Sequence, residues 1–193
     1  MKKSIVCAAL ILMTMLCGCG GGHDAYTKIY EGLTKLENYK AEVEVVTGGE
    51  TYNATEYYLS PDMFRVDYTD SDMGGVSCSL VGDTLSFKGD DGKITKFSGY
   101  VPNEKFYIFV ADFMKNYCTK ESGKHSKKGR FTVLETTADE DNPAAAAQKL
   151  WINNETGLPD KMITYNKKGE KTVTVNFKTF EMNTKINKNT FKL

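Results

Sequence analysis

From Tyr39 to Lys88, apolar side chains recur at every second position, and short Gly- or Pro-containing breaks interrupt the pattern. This alternation constrains the fold more than any other feature of the chain. A repeat of two belongs to a strand with one face buried and one face wet. Short runs of this kind joined by tight turns pair with their neighbours in antiparallel order. Tyr39, Ala41, Val43 and Val45 alternate with Lys40, Glu42 and Glu44, and Gly48-Gly49 then turns the chain. Tyr52, Ala54, Glu56 and Tyr58 share one face of a partner strand over Glu50 to Leu59, which Pro61-Asp62 ends. Phe64, Val66 and Tyr68 line one side of a strand over Met63 to Tyr68. Gly74-Gly75, Gly82-Asp83 and Gly89-Asp90-Asp91-Gly92 introduce strands over Val76 to Val81, Thr84 to Lys88 and Lys93 to Phe97. Four more are expected at Phe131 to Thr137, Gln148 to Ile152, Lys161 to Asn166 and Thr172 to Phe180.

Two stretches switch to helical spacing. Tyr26, Ile29, Tyr30, Leu33 and Leu36 recur three and four apart, with Asp24 in the capping position. Phe106, Phe109, Val110, Phe113, Met114 and Tyr117 do the same, with Asn103-Glu104 at the expected start. The aromatic face Phe106, Phe109, Phe113 and Tyr117 has two readings: simple core against the concave side of a sheet, or the lining of a hydrophobic cavity able to hold an acyl chain. Lys120 to Arg130 reads as a Lys-rich loop, and Asn142-Pro143 as the start of a helical turn through Ala144 to Ala147. No internal repeat or second boundary appears, so residues 24–193 are expected to form a single α+β domain.

The N-terminus has a different grammar. Lys2 and Lys3 precede an apolar run from Ile5 to Leu16, and Gly18 stands immediately before Cys19. That is a secretory signal ending in a bacterial lipobox. Residues 1–18 read as a signal peptide, Cys19 as the lipidation site and residues 19–23 as a lipidated, flexible leash. The run is too short for a good spanning helix, which needs about 20 apolar residues. The expected location is extracytoplasmic, held to the membrane by the N-terminal lipid.

Three of the five cysteines, Cys7, Cys17 and Cys19, belong to this segment. Cys78 and Cys118 remain, and outside the cytoplasm they can bridge within the chain, bridge two chains as a homodimer, or stay free. Lysine plus arginine and aspartate plus glutamate balance at 25 each. No concentrated basic face of the kind nucleic acid needs is expected. The run Lys124-His125-Ser126-Lys127-Lys128-Gly129-Arg130 reads as a solvated loop, with contact to anionic lipid or wall polymer as the alternative.

Catalytic chemistry has little to build on. The two histidines, His23 and His125, have no metal-ligand spacing to a second histidine or to a Cys-x-x-Cys pair, so no metal site is expected. There is no Gly-x-Ser-x-Gly elbow, phosphate loop or dinucleotide fingerprint, so neither an enzyme nor a cofactor is expected. Cys118 and His125 read as unrelated residues. Asp70-Ser71-Asp72 and Asp90-Asp91-Gly92 read as hairpin turns rather than calcium loops.

The order of elements resembles the lipoprotein-carrier (LolA-like) fold. The tail carries the resemblance furthest, in Leu150-Trp151-Ile152, Thr156-Gly157-Leu158-Pro159, Val173-Thr174-Val175-Asn176-Phe177 and the stretch from Asn183 to Phe191. Ser60-Pro61 with Arg65 fits the early strand pair of that family. The resemblance implies a curved, unclosed antiparallel half-barrel covered by helices on its concave face. In the carriers that face shields lipoprotein acyl chains. Lipidation departs from the soluble carriers and is similar to the clostridial germination lipoproteins (GerS-like). That branch implies a non-catalytic partner of a spore N-acetylmuramoyl-L-alanine amidase, which together make the muramic-δ-lactam of cortex peptidoglycan. The alternative is a lipid or lipoprotein carrier or sensor of the cell envelope.

Overall fold

In the computed structural model, residues 25–70, 75–100, 106–139 and 141–193 are described. Cys19, Asp24, Gly74 and Asn103-Glu104 lie outside them. Among the described residues, eleven strands form one sheet. The first meander is β1 (Tyr39–Thr47), β2 (Glu50–Ser60), β3 (Met63–Tyr68), β4 (Ser77–Val81), β5 (Thr84–Lys88) and β6 (Ile94–Phe97). The second is β7 (Lys124–Lys128), β8 (Phe131–Thr137), β9 (Ala147–Asn153), β10 (Pro159–Tyr165) and β11 (Lys171–Met182). The spatial order is β6-β5-β4-β3-β2-β1-β11-β10-β9-β8-β7. Within each meander every strand thus pairs with its sequence neighbour, and β1 with β11 joins the two meanders in antiparallel register. The sheet is the unclosed half-barrel that the carrier resemblance implies.

The alternation decides which face is buried. In β1 Tyr39, Ala41, Val43 and Val45 are all buried, and they continue across the sheet into Ala54, Tyr58, Phe64, Val66, Leu80 and Leu85 on one side and Val175, Met162, Leu150 and Leu134 on the other. Gly48 and Gly49 hold φ of 59° and 85° in the two-residue turn between β1 and β2. A turn with both central residues at positive φ matches the strand twist and needs glycine-like freedom.

Strand β11 contains a bulge. Val45 faces Val175 and Val43 faces Phe177, but Glu42 faces Thr179, so Lys178 is the extra residue. The bulge resets the alternation. Val175 and Phe177 before it and Phe180 and Met182 after it therefore all join the concave core.

Helices α1 (Ala25–Thr34) and α2 (Val110–Thr119) cover that core. Ile29 and Leu33 of α1 are buried, as are Val110, Phe113, Met114 and Tyr117 of α2. The α2 helix packs on β8 and β9 and touches α1. It begins later than the aromatic spacing predicts, because Tyr107 sits at φ 59° and turns the chain just before it. The Tyr107 carbonyl accepts from Gln148 Nε2 at 3.2 Å, and its hydroxyl lies between Asp139 Oδ2 and Asn142 Nδ2 at 3.3 and 3.1 Å. These bonds tie the entrance of α2 to the connection from β8 to β9.

Two further expectations are corrected. The Lys-rich stretch is the edge strand β7, paired with β8 from Lys124 opposite Glu135 to Lys128 opposite Phe131. Asn142-Pro143 opens a turn rather than a helical turn. The Asn142 side chain accepts from Ala144 N at 2.9 Å and takes the place of a first helical bond.

The C-terminus ends in a 3-10 turn, Lys188–Phe191, packed on β3 and β4. Arg65 Nη1 donates to the Thr190 carbonyl at 2.8 Å, and Ser79 Oγ to the Phe191 carbonyl at 2.6 Å. Arg65 and Ser79 are cross-strand partners on the convex face. The tail therefore straps the outside of the sheet, and Phe191 is buried there.

Candidate functional site

The concave face is filled with rings. Phe109 lies 4.7 Å from Phe64 and 5.4 Å from Tyr58, centroid to centroid. Phe106 meets Phe64 edge-on at 5.1 Å, and Phe113 stacks on Tyr117 at 6.1 Å. Phe109, Phe113 and Tyr117 are buried, and Phe106 is half-buried. At these positions the contacts are those of core between sheet and helix.

Within this apolar layer stands one acid. Glu56 follows the buried side of β2, so the strand's own period carries it inward, and it is fully buried. Tyr39 donates its hydroxyl to Glu56 Oε2 at 3.1 Å, while Oε1 has no partner. Burial pushes the carboxyl up to about 8, against the Tyr39 hydrogen bond that lowers it and with the help of the nearby Asp112 charge. Tyr58 donates to Asp112 Oδ1 of α2 at 3.2 Å, which links the same face to the helix. Burial and the Glu56 charge also hold the Tyr39 hydroxyl well above the usual range. A neutral carboxylic acid costs far less to bury than a carboxylate.

The two thiols are separate and free: Cys78 is buried in β4, and Cys118 is exposed near the end of α2. No disulfide joins them. Burial pushes the Cys78 thiol up to about 12, which makes it inert. Cys118 lies at the rim of a groove of about 380 Å³ between α1 and α2, lined also by Tyr30, Leu33 and Met114. Among the described residues, no group of three or more His, Cys, Asp or Glu is placed to hold a metal ion. No described helix is long and apolar enough to cross a membrane.

The sheet leaves two edges, and they differ in kind. At the β6 edge, Phe97 is 54% exposed and Ile94 42%, with Phe87 of β5 at 39%. Phe87 and Phe97 meet edge-on at 6.1 Å. An apolar strand edge of this kind is a ready surface for another protein. At the β7 edge every residue is exposed, and the chain is basic. His125 is the exception in contact: it stacks on Tyr26 of α1 with centroids 3.7 Å apart. Sequence reasoning placed His125 in a loop and missed this contact. It also attached no meaning to Glu56, although the alternation of β2 already set that residue on the apolar face.

Comparison with known proteins adds the family. A family model described as sporulation protein YdcC-like matches residues 85–191, from β5 to the C-terminal turn. Among solved structures, the complex of the CwlD amidase from Clostridioides difficile with the GerS lipoprotein contains a match with TM-score 0.52 at 29% identity, covering 81% of this chain and 92% of the other. An uncharacterized conserved protein from Thermus thermophilus matches with TM-score 0.54 at 14% identity, covering 88% and 94%. The Pseudomonas aeruginosa MucA/MucB complex contains a match with TM-score 0.50 at 12% identity, covering 88% of this chain and 60% of that one. The last two are likenesses of fold. No functionally curated protein matches the chain. With a model matching more than half of its length, from β5 through the second meander to the convex strap, the chain belongs to the YdcC-like family of sporulation proteins.

Proposed function

We propose that this chain is a lipoprotein anchored through Cys19 on the outer side of a membrane, where it binds and activates a cell-wall N-acetylmuramoyl-L-alanine amidase. On this reading it is not itself an enzyme. The pair makes the muramic-δ-lactam of spore cortex, the mark that germination lytic enzymes require. The observation that carries the reading is the 29% identity to a structure of the CwlD amidase with the GerS lipoprotein, over 81% of the chain. The β6 edge supports it, because Phe97, Ile94 and Phe87 offer an exposed apolar strip that a partner can cover.

The test is a pull-down from sporulating cells with tagged wild-type protein and with Phe97→Asp. Wild type is expected to capture an amidase, and Phe97→Asp to lose most of it while folding normally. Spores lacking the gene are expected to lack muramic-δ-lactam. Normal δ-lactam content in those spores overturns the proposal. Co-purification of a stoichiometric lipid with the protein, and no amidase, favours the carrier reading instead.

A further inference from the structure

The first described residues of the fold lie beside the basic edge. Helix α1 starts at Ala25, and its first turn is fixed against β7 by the stack of Tyr26 on His125, with rings 3.7 Å apart and 9° from parallel. Tyr26 also meets Tyr117 through their hydroxyls at 3.2 Å, so this end of α1 is held from two sides. From Cys19 to Ala25 a fully extended chain reaches at most about 20 Å. Any lipid on Cys19 therefore keeps β7 close to the bilayer surface.

Strand β7 is suited to that neighbourhood. From Lys120 to Arg130 the chain carries five cations and one carboxylate, Glu121. Lys124, Lys127, Lys128 and Arg130 are all exposed. The carboxylate opposite Lys124, Glu135, is engaged by Lys149 at 2.8 Å. Glu155 lies in the adjacent turn, whose Asn154 N donates to the Arg130 carbonyl at 2.9 Å, and exposed Lys28 borders the same turn. Lysines on an edge strand also discourage edge-to-edge pairing. That role does not explain the asymmetry here, since the other edge exposes Phe97 and Ile94. An anionic surface attracts cations only within about a Debye length, roughly 8 Å at physiological salt. The leash lets this edge approach to within that range.

We propose that the β7 edge docks, through Lys124, Lys127, Lys128 and Arg130, on the anionic phospholipid headgroups of the membrane that holds Cys19. This orientation leaves the β6 edge, at the far end of the strand order, for the protein partner. It rests on the anchor reading and adds a second, electrostatic attachment to it. A diacylglyceryl anchor already carries two acyl chains and holds stably, so the patch serves to orient the domain rather than to retain it.

The test uses residues 19–193 carrying Cys19→Ala, so that no acyl group contributes. Co-sedimentation with phosphatidylglycerol vesicles is compared with phosphatidylcholine vesicles and with purified peptidoglycan sacculi. Binding to phosphatidylglycerol alone is expected, falling as salt rises. Each Lys or Arg near an anionic surface is worth about a fivefold change in affinity, so losing three charges weakens binding on the order of 100-fold, and Lys124→Glu/Lys127→Glu/Lys128→Glu is expected to weaken it at least that much. The milder triple change to Gln serves if the charge reversal disturbs folding, and Lys93→Glu/Lys96→Glu at the other edge is expected to have no effect. Equal binding to both vesicle types, unchanged binding by the triple variants, or binding to sacculi in place of vesicles overturns the proposal. Mass spectrometry of wild-type protein from membranes tests the anchor separately. A diacylglyceryl Cys19 with no vesicle binding sinks the docking alone, whereas an unmodified Cys19 sinks the anchor.

Discussion

At the scale of single residues, Glu56 is where local pattern and burial conflict. The face it shares with Ala54 and Tyr58 is apolar, yet the strand's period leaves it no other side to point to. Its carboxyl lies near 8 in the fold against 4.5 when free, so at intermediate pH the native state keeps a proton that the unfolded chain has released. Stability is then fully present below about pH 4.5 and falls as pH rises through about 8. The slope is at most about 1.4 kcal/mol per pH unit. Glu56→Gln keeps the shape and an acceptor for Tyr39 without a charge to bury. Thermal melts at pH 5 and pH 8.5 are expected to show little difference between the two proteins at the lower pH and a higher melting temperature for Glu56→Gln at the upper. Equal melting temperatures at pH 8.5 count against a buried, protonated Glu56. Asn183 answers a different need. It adopts φ 51°, which asparagine tolerates better than most residues, and its side chain accepts from Glu37 N at 2.8 Å and donates to the Lys35 carbonyl at 3.0 Å. One side chain thus holds the link from α1 to β1.

At the scale of elements, the bulge at Lys178 keeps the apolar residues of both halves of β11 facing inward. If Lys178 were paired opposite Glu42 instead of bulged out, Phe180 and Met182 would swing to the convex side, and Phe180 would lose its stack on Tyr39 at 4.7 Å. Deleting Lys178 leaves Phe177, Thr179 and Phe180 in plain alternation opposite Val43, Glu42 and Ala41, and is expected to cost less than about 1 kcal/mol. Urea denaturation measures it, and a loss of about 3 kcal/mol or more, in the range of a large aromatic lost from a core, means that Phe180 has left the concave face. The C-terminal turn makes a similar contribution from outside. Phe191 is 1% exposed on the convex face, where half-barrel surfaces otherwise meet water. Phe191→Ala is expected to destabilise by about 3–5 kcal/mol. A change within about 0.5 kcal/mol shows that the tail merely lies on the sheet. The alternation in the chain predicted most strand positions to within a residue or two. It did not reveal β7, because Lys-His-Ser-Lys-Lys has no apolar residue to mark a period. The start of α2 was equally hidden, since Tyr107's left-handed conformation leaves no trace in helical spacing.

At the scale of the whole molecule, the two edges give the half-barrel a direction: a basic edge beside the entry of the N-terminal chain, and an apolar edge at the other end of the strand order. Cys19→Ala is expected to leave the domain folded and to shift most of the protein from the membrane fraction to the soluble one. Fractionation by immunoblot reads this out, and full membrane retention of the variant contradicts the anchor at Cys19. The sequence by itself determined the hairpin pairs of its alternating strands, β7 excepted, because a period of two with tight turns allows little else. It also set which residues of the first meander face the core, Glu56 included, and supplied the Gly18-Cys19 motif on which the anchor proposal rests. Tertiary structure alone decided that β1 pairs with β11, that the thiols stay apart, that Phe106 and Phe109 ahead of α2 meet sheet rings, and that Tyr26 pins α1 to β7. Those are contacts between residues far apart in the chain, made only when the curved sheet brings distant strands under the same two helices.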